Sequence, residues 1–435
     1  MKVKQSTLLK EGLLMSKFRS TLGVVIALAI AVSPLAIYSA NAATGGPKDS
    51  VITLETPVLD ESNSSDAAKN QLDADGWVAR GWFGSGLTYK VSYAPVGSSV
   101  NLTYHVVDKA GKPLKFQRVQ LRVNKSDSAS TSIVEVDGLK TKGIDRPPFD
   151  QVNVFHFTDA FGNVTFKLKN IDLESSAEPE PKSYNDKPDV EDIDRLHSQM
   201  LPEVSDQFKD HSTITQFHYF LPKSPIVVAA TKPAITLVLP KLDATNSVMD
   251  LSKNLKQAYV PAGGEVIVVY KVTGDDGKSA VPNAVVNLKV NGGKSTLQAT
   301  TDAFGYAAFT VKNADTKPNA GPASATSAMP ASSSAVATLT PEITGATPVT
   351  TEGVEFHYYR GISTTVAKSG KEFVVSVAIA GAAGKTATVS VTGGKKTSVK
   401  LSSAIQVVPV KVSGGAKVAT VVIDGKTYTS KVVAK

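Results

Sequence analysis

The stretch TDAFGNVTFKLKN, residues 158–170, decides the fold, because it returns as TDAFGYAAFTVKN at residues 301–313. In each copy a Thr-Asp-Ala-Phe-Gly segment precedes seven residues in which polar and apolar side chains alternate. Alternation with a period of two is typical of a β-strand that is buried on one face. The two copies therefore predict two related β domains.

Further segments recur in the same order on either side of this stretch. Five landmarks in one order indicate an internal duplication, which predicts homologous domains at residues 85–230 and 231–360. The other four are Ala94-Pro95-Val96-Gly97 with Val260-Pro261-Ala262-Gly263, Gly111-Lys112 with Gly277-Lys278, residues 119–124 with 286–291, and Phe217-His218-Tyr219 with Phe356-His357-Tyr358.

This order of strands and turns resembles the bacterial immunoglobulin-like domains of invasin and intimin stalks, over roughly residues 85–360. In that family a Thr-Asp-x-x-Gly turn links two strands of the sandwich. Asp159 with Gly162, and Asp302 with Gly305, match this turn, in which the aspartate closes the turn and the glycine supplies a positive φ. The resemblance implies an all-β fold of tandem Ig-like β-sandwiches.

The remaining segments complete the predicted organisation. Residues 43–84 are assigned to an N-terminal extension, and residues 361–435 to a small basic C-terminal β-domain. Each repeat is interrupted in the same slot, by an acidic insertion at 171–210 and by an Ala/Ser/Pro-rich insertion at 314–348. Because their compositions differ, both insertions are predicted to lie at the surface and not to contribute to the core. Within the acidic insertion, a helix is predicted over residues 190–201.

The first 42 residues have the pattern of an export signal. A basic segment precedes an apolar run from Leu22 to Ile37, and Ala40-Asn41-Ala42 fits a signal peptidase site. The alternative is an N-terminal membrane anchor, for which the run is short and is interrupted by Pro34. The chain has no cysteine, which excludes disulfides and thiolate sites and favours a bacterial origin. We expect an extracellular or cell-surface protein.

Positive charge is concentrated at the C-terminus. Residues 360–435 hold 12 basic and two acidic residues, whereas residues 43–230 hold 20 basic and 26 acidic ones. A field of one sign favours a polyanion, such as an acidic polymer of the cell wall. The alternative is a soluble, lysine-decorated domain with no such partner. The predicted polyanion-binding residues are Lys368, Lys371, Lys385, Lys395, Lys396, Lys400, Lys411, Lys417, Lys426 and Lys431.

Nucleic acid is not predicted as a partner, since this segment has one arginine and few aromatic residues on which bases could stack. The chain also lacks a Gly-x-Ser-x-Gly elbow, a His-Glu-x-x-His motif and a phosphate-binding loop. The histidines have no close ligand spacing, so no catalytic residue, cofactor or metal is predicted.

The only tryptophans, Trp77 and Trp82, lie in an aromatic cluster ahead of the first repeat. Exposed, they would stack against sugar rings; buried, they would close the end of the first sandwich, which we favour. The sequence thus predicts a secreted, non-catalytic binding or structural protein, an adhesin-like spacer of Ig-like modules with a cationic domain for envelope polyanions. Glycans or surface proteins are further possible partners. The alternative is a secreted carbohydrate-binding or polysaccharide-active protein.

Overall fold

The computed structural model confirms the all-β fold class. It describes residues 50–67, 89–124, 133–141, 151–172, 178–181, 197–204, 215–223, 232–261, 264–312, 336–348, 350–369, 371–380, 382, 384–402 and 405–434. These residues form 29 strands and no helix. The strands divide among three β-sandwiches, each made of two sheets.

The first sandwich contains strands β1 to β12. One sheet has the order β1-β4-β9-β6-β7, and the other has the order β2-β3-β12-β11-β5-β8 with β10 beside β12. The strands are β1 Val51–Thr56, β2 Ser64–Ala67, β3 Tyr89–Pro95, β4 Ser99–Val107, β5 Arg118–Asn124, β6 Val134–Val136, β7 Leu139–Lys140, β8 Gln151–Phe157, β9 Asn163–Asn170, β10 Glu178–Pro179, β11 His197–Val204 and β12 Thr215–Leu221.

The second sandwich contains strands β13 to β22. Its sheets have the orders β19-β16-β13-β21 and β14-β15-β22-β20-β17-β18. The strands are β13 Ala234–Leu239, β14 Val248–Asp250, β15 Leu255–Pro261, β16 Glu265–Thr273, β17 Val285–Val290, β18 Ser295–Thr300, β19 Tyr306–Lys312, β20 Val336–Ile343, β21 Thr350–Thr351 and β22 Val354–Tyr359.

The two sandwiches share one topology. The series β1-β4-β9 corresponds to β13-β16-β19, and β2-β3-β12-β11-β5-β8 corresponds to β14-β15-β22-β20-β17-β18. Each also contains one parallel pair in the same place, β3 with β12 and β15 with β22. Nine strand positions in the same order establish the repeat at the level of structure.

The repeat begins earlier than residue 85, at β1. Strand β1 pairs with β4 as β13 pairs with β16, so residues 51–67 belong to the first sandwich and not to an extension. The sequence carries the matching signal, because residues 52–64 and 235–247 share Ile-Thr-Leu, Pro, Leu-Asp and Asn-Ser at identical spacings.

Strands also lie inside both segments that composition assigned to insertions. Strand β11 pairs with β5 and β12, and β20 pairs with β17 and β22, so each is an interior strand of its sheet. The helix expected over residues 190–201 is wrong from His197 onward, where β11 begins. Pairing on both sides fixes this segment as a strand, whatever its local propensity.

The third sandwich is smaller. Its sheets have the orders β23-β24-β27 and β26-β25-β28-β29. Buried valines and alanines that alternate along the strands, such as Val375 and Val377, form its core. The strands are β23 Gly361–Ser369, β24 Glu372–Ala380, β25 Thr386–Val391, β26 Thr397–Lys400, β27 Ile405–Val412, β28 Gly415–Ile423 and β29 Lys426–Ala434.

The first two sandwiches pack against each other through β4 and β16. Both strands contain five consecutive buried residues, so both of their faces are covered. Ile267 and Val269 of β16 belong to the same buried cluster as the core of the first sandwich. The sheets that contain β4 and β16 therefore share one continuous buried interior at this junction.

Candidate functional site

The repeated Thr-Asp-Ala-Phe-Gly turns lie at the junction of the two repeats. In the first, Asp159 Oδ1 accepts hydrogen bonds from the backbone N–H of Phe161 and Asn163, each at 2.8 Å. In the second, Asp302 Oδ1 accepts bonds from Phe304 and Tyr306, each at 2.9 Å. Each aspartate thus closes its own turn with one oxygen.

The second oxygen of each aspartate binds the other domain. Asp159 Oδ2 accepts a bond from the backbone N–H of Ile267 at 2.8 Å, and Asp302 Oδ2 accepts one from Asn101 at 2.7 Å. Because Asn101 and Ile267 occupy the same position in β4 and β16, the two contacts are equivalent. The domains therefore meet around a pseudo-two-fold axis.

Backbone and aromatic contacts repeat this reciprocity. The N–H of Ala160 donates to Glu265 O at 3.3 Å, and that of Ala303 donates to Ser99 O at 3.0 Å. Each turn also places its phenylalanine beside a buried ring of the other domain. The pairs are Phe161 with Phe356, with ring centroids 6.2 Å apart, and Phe304 with Phe217, 5.9 Å apart.

The glycines of these turns are required by space as well as by φ. Gly162 has φ +83° and Gly305 has φ +78°. A Cβ on Gly305 would lie 2.7 Å from Val272 O, and one on Gly162 would lie 2.9 Å from Val106 O. Both backbones therefore lie too close to a neighbouring strand for any side chain.

Burial dominates the electrostatics of this junction. It raises the pKa of Asp159 and Asp302 to about 6, although three backbone N–H donors per carboxylate act in the opposite direction. Half-buried Lys271 also lies in the field of Asp302. The function of this arrangement is structural, since each carboxylate is occupied by backbone donors.

The ten predicted lysines separate into two groups on the third sandwich. Nine are exposed and Lys417 is half-buried. We call the larger group, which the register places at one end of the sandwich, the cationic end. It consists of Lys368, Lys371, Lys395, Lys396, Lys411, Lys417 and Lys431.

Strand pairing and close contacts define this cationic end. Lys368 at the end of β23 pairs with Phe373, which in turn pairs with Val412 beside Lys411. The turn that carries Lys395 and Lys396 also lies here. A Cβ on Gly394 would be 2.9 Å from Lys411 O, and one on Gly393 would be 3.3 Å from Lys417 Nζ.

The opposite end contains Lys385, Lys400 and Lys426, together with Arg360 and the acid Asp424. Asp424 lies there, 3.2 Å from Lys385 Nζ and 3.7 Å from Arg360. At the cationic end the only acid among the described residues is Glu372, against seven lysines, and no ion pair there involves those lysines. Positive charge is therefore least compensated at the cationic end.

A second polar cluster surrounds buried Glu355 in the second sandwich. Its carboxylate accepts hydrogen bonds from Gln257 at 2.6 Å and from Lys253 and Thr338, and it lies 2.8 Å from His357 Nε2. Burial alone would raise the pKa of Glu355, but these hydrogen bonds lower it below its usual value. The carboxylate is saturated by protein donors, which favours a structural role.

Other sequence predictions fall outside the site. Trp77 and Trp82 lie outside the described residues, as do residues 1–42 with the predicted signal. His218 and His357 are buried at equivalent positions of β12 and β22. In the described part of the chain, no cluster of three metal-ligating side chains occurs and no helix is long and apolar enough to cross a membrane.

Sequence reasoning missed a repeated ion pair that joins β5 to β11 and β17 to β20. Arg122 and Glu203 approach to 3.4 Å, and their counterparts Lys289 and Glu342 approach to 2.6 Å. The signal was present as Pro202-Glu203 and Pro341-Glu342, followed in each copy by a β-branched residue. It identifies the same strand inside two segments of unlike composition.

Comparison with known proteins gives a broad likeness only. No family model and no curated protein sequence matches the chain. Among solved structures, dimeric latent PorU from Porphyromonas gingivalis aligns with TM-score 0.24 and 11% identity, over 89% of this chain and 34% of that one. The Escherichia coli adhesin FdeC aligns with TM-score 0.19 and 11% identity, over 89% and 98% of the two chains. A tetra-tandem repeat of a large adhesion protein gives TM-score 0.16 and 9% identity, over 78% and 72%. At such scores the assignment as tandem β-sandwiches depends on the strand pairing described above.

Proposed function

We propose that this chain is an exported, non-catalytic binding protein whose third sandwich holds acidic polymers of the cell envelope through its cationic end. The observation that carries the proposal is the segregation of charge. Seven lysines and one acid, Glu372, share one end of a small sandwich, whereas three lysines and Arg360 accompany Asp424 at the other. This unequal division of charge favours a localised binding surface over uniform lysine decoration.

The physical mechanism is counterion release together with simple Coulomb attraction. Exposed lysines remain hydrated and mobile, so they follow a flexible chain of phosphates or carboxylates without requiring one geometry. Each contact is weak and screened by salt, and affinity comes from their number. Wall polymers of the teichoic type have this chemistry, since they repeat one negative charge along a flexible backbone.

The two Ig-like repeats supply the supporting part of this function. The junction of the repeats has one continuous buried interior, and Phe116 of the first repeat contacts the third sandwich at Ala378. Export depends on residues 1–42, for which the predicted signal peptide is the supporting pattern. Surface attachment would then be non-covalent and reversible by salt.

The test compares two triple variants of equal charge change. Lys395→Gln, Lys396→Gln and Lys411→Gln remove charge from the cationic end, and Lys385→Gln, Lys400→Gln and Lys426→Gln remove it from the opposite end. All six residues are exposed, so folding should be unaffected. Binding to long-chain polyphosphate is measured by titration at several salt concentrations.

We expect roughly a tenfold loss of affinity and a shallower salt dependence for the first variant, with much smaller changes for the second. Equal losses in both variants would show that only net charge matters and would refute a localised site. Absence of salt-dependent binding by the unmodified protein would refute the function itself.

A further inference from the structure

A groove lies between the two repeats, on one side of the pseudo-two-fold junction. It encloses about 960 Å³, which is within the range of pockets for small ligands. The first sandwich contributes the loop from Val58 to Asn63 and residues near Tyr93. The second contributes Lys271, the loop from Lys278 to Asn283, and the turn at Phe304.

Pseudo-symmetry supplies an internal comparison for this groove. Residues that serve the junction are the same in both copies, whereas several groove residues differ. Lys271 and Tyr306 pair across β16 and β19, where the first domain has His105 and Asn163. The first domain thus forms its side of the junction without a lysine and a tyrosine here, whereas the Tyr306 hydroxyl accepts a hydrogen bond from the Val58 N–H across the junction at 3.3 Å.

The opposite side of the junction is used differently. Phe116 and Asn283 occupy equivalent positions, with φ of 57° and 59° and with backbone bonds to Thr158 O and Thr301 O. Phe116 packs against Ala378 of the third sandwich. Asn283 instead lines the groove, as an exposed polar residue.

The chemistry of the groove is that of a polar, anion-accepting site on an apolar floor. Tyr93, Phe304 and Tyr306 form a buried floor. Lys271 Nζ lies 4.2 Å from the centroid of the Tyr306 ring and donates to Phe304 O, which fixes its position in the groove. Burial lowers the pKa of Lys271, although Asp302 and Asp60 act in the opposite direction, and an added negative charge would stabilise its charged form further.

The rim adds a second cation and polar side chains, among which the hydroxyls of Ser62 and Ser279 donate to Asp60 and Asp276 and retain their acceptor capacity. Exposed Lys278 stands beside Ser279 and Asn283, while Asp60 and Ser62 face from the first sandwich. Asp60 accepts two hydrogen bonds from Ser62, which stabilise its charged form, and its carboxylate also attracts Lys271. Two lysines beside hydroxyl and amide groups match a ligand that carries both carboxylates and hydroxyls.

We propose that this groove binds a short acidic oligosaccharide, with Lys271 and Lys278 recognising its carboxylates. The site is separate from the cationic end, which recognises charge density along a polymer. Here the ligand is enclosed between two domains, and its hydroxyls meet the polar rim. Binding is accordingly expected to be specific, with one ligand per chain.

The experiment titrates the purified protein with trigalacturonic acid by calorimetry, with neutral maltotriose as the comparison ligand. Lys278→Ala tests the rim, and Lys112→Ala is the matched control, because Lys112 is the exposed residue at the same repeat position of the first sandwich. Lys271→Met tests the half-buried cation above the floor, and the thermal unfolding of this variant is recorded to verify its fold.

We expect saturable one-to-one binding that is roughly tenfold weaker for Lys278→Ala and for Lys271→Met, and unchanged for Lys112→Ala. Equal affinity for maltotriose, equal loss in Lys112→Ala, or no binding at about 10 mM ligand would overturn the proposal. The triple variant at Lys395, Lys396 and Lys411 should bind the trisaccharide normally. Loss of binding in that variant would place the ligand on the third sandwich and refute the groove.

Discussion

Replacing Gly305 by alanine tests whether close backbone approach, and not only turn conformation, explains the repeated turn. At φ +78° an L-residue costs about 1–2 kcal/mol, part of which is offset by lower entropy of the unfolded chain. The added Cβ would also lie 2.7 Å from Val272 O and 3.1 Å from Val281 N. Both atoms belong to backbone and cannot rotate away, so overpacking adds about 1–3 kcal/mol. We expect a total loss of about 3 kcal/mol in the free energy of unfolding.

Gly277→Ala is the matched control for this measurement. Gly277 has φ +68°, but a Cβ there would meet no atom within 4 Å. Its cost should be only the conformational part, about 1 kcal/mol or less. Urea unfolding followed by circular dichroism, with unchanged m-values, measures both variants. If Gly305→Ala is no more destabilising than Gly277→Ala, the steric argument is refuted.

Two further predictions concern buried ionisable groups. The pKa of Asp159 and Asp302 is about 6 in the folded protein, against an ordinary value of 3.8. The folded protein therefore binds these two protons more tightly than the unfolded chain does. The free energy of unfolding should fall as pH rises from about 4 to 6, by about 3 kcal/mol for each aspartate. Urea midpoints across this pH range measure the effect, and each Asp→Asn variant should lose the part of the pH dependence that its aspartate contributes. A stability that does not change with pH in the unmodified protein would contradict the prediction. Tyr219→Phe should cost about 1 kcal/mol, because the tyrosine hydroxyl lies 2.7 Å from Ser198 Oγ. Tyr270→Phe should leave stability unchanged, because the buried hydroxyl of Tyr270 has no partner among the described residues. Thermal unfolding of both variants measures the difference, and equal destabilisation by the two substitutions would contradict the prediction.

Much of the fold could be predicted from the sequence, because duplicated turns and alternating strands are local signals. The turns at Asp159 and Asp302 close by contacts two and four residues along the chain, so a short motif contains their geometry. Strand β11 was not predictable in this way. It is a strand because it pairs with β5, whose residues are about 80 positions earlier in the chain. The many acidic residues near it in sequence gave it the composition of a surface insertion.

The junction between the repeats could not be predicted from either copy alone. One oxygen of each aspartate has a local partner, and the other binds an amide more than 100 or 200 positions away. Likewise, composition predicted a basic domain but not the division of its lysines between two ends. That division follows from the register of β23, β24 and β27, and the register cannot be deduced from the number of charges.

The pseudo-two-fold junction also limits how this architecture can grow. A contact in which each partner offers the same surface closes on itself, as in a symmetric dimer, and leaves no copy of that surface free. A third repeat of the same kind would find both aspartate turns and both receiving strands already occupied. Lengthening the chain therefore requires either a second complete pair or a module of a different kind. The third sandwich is such a module, with its own strand order and a separate contact at Phe116.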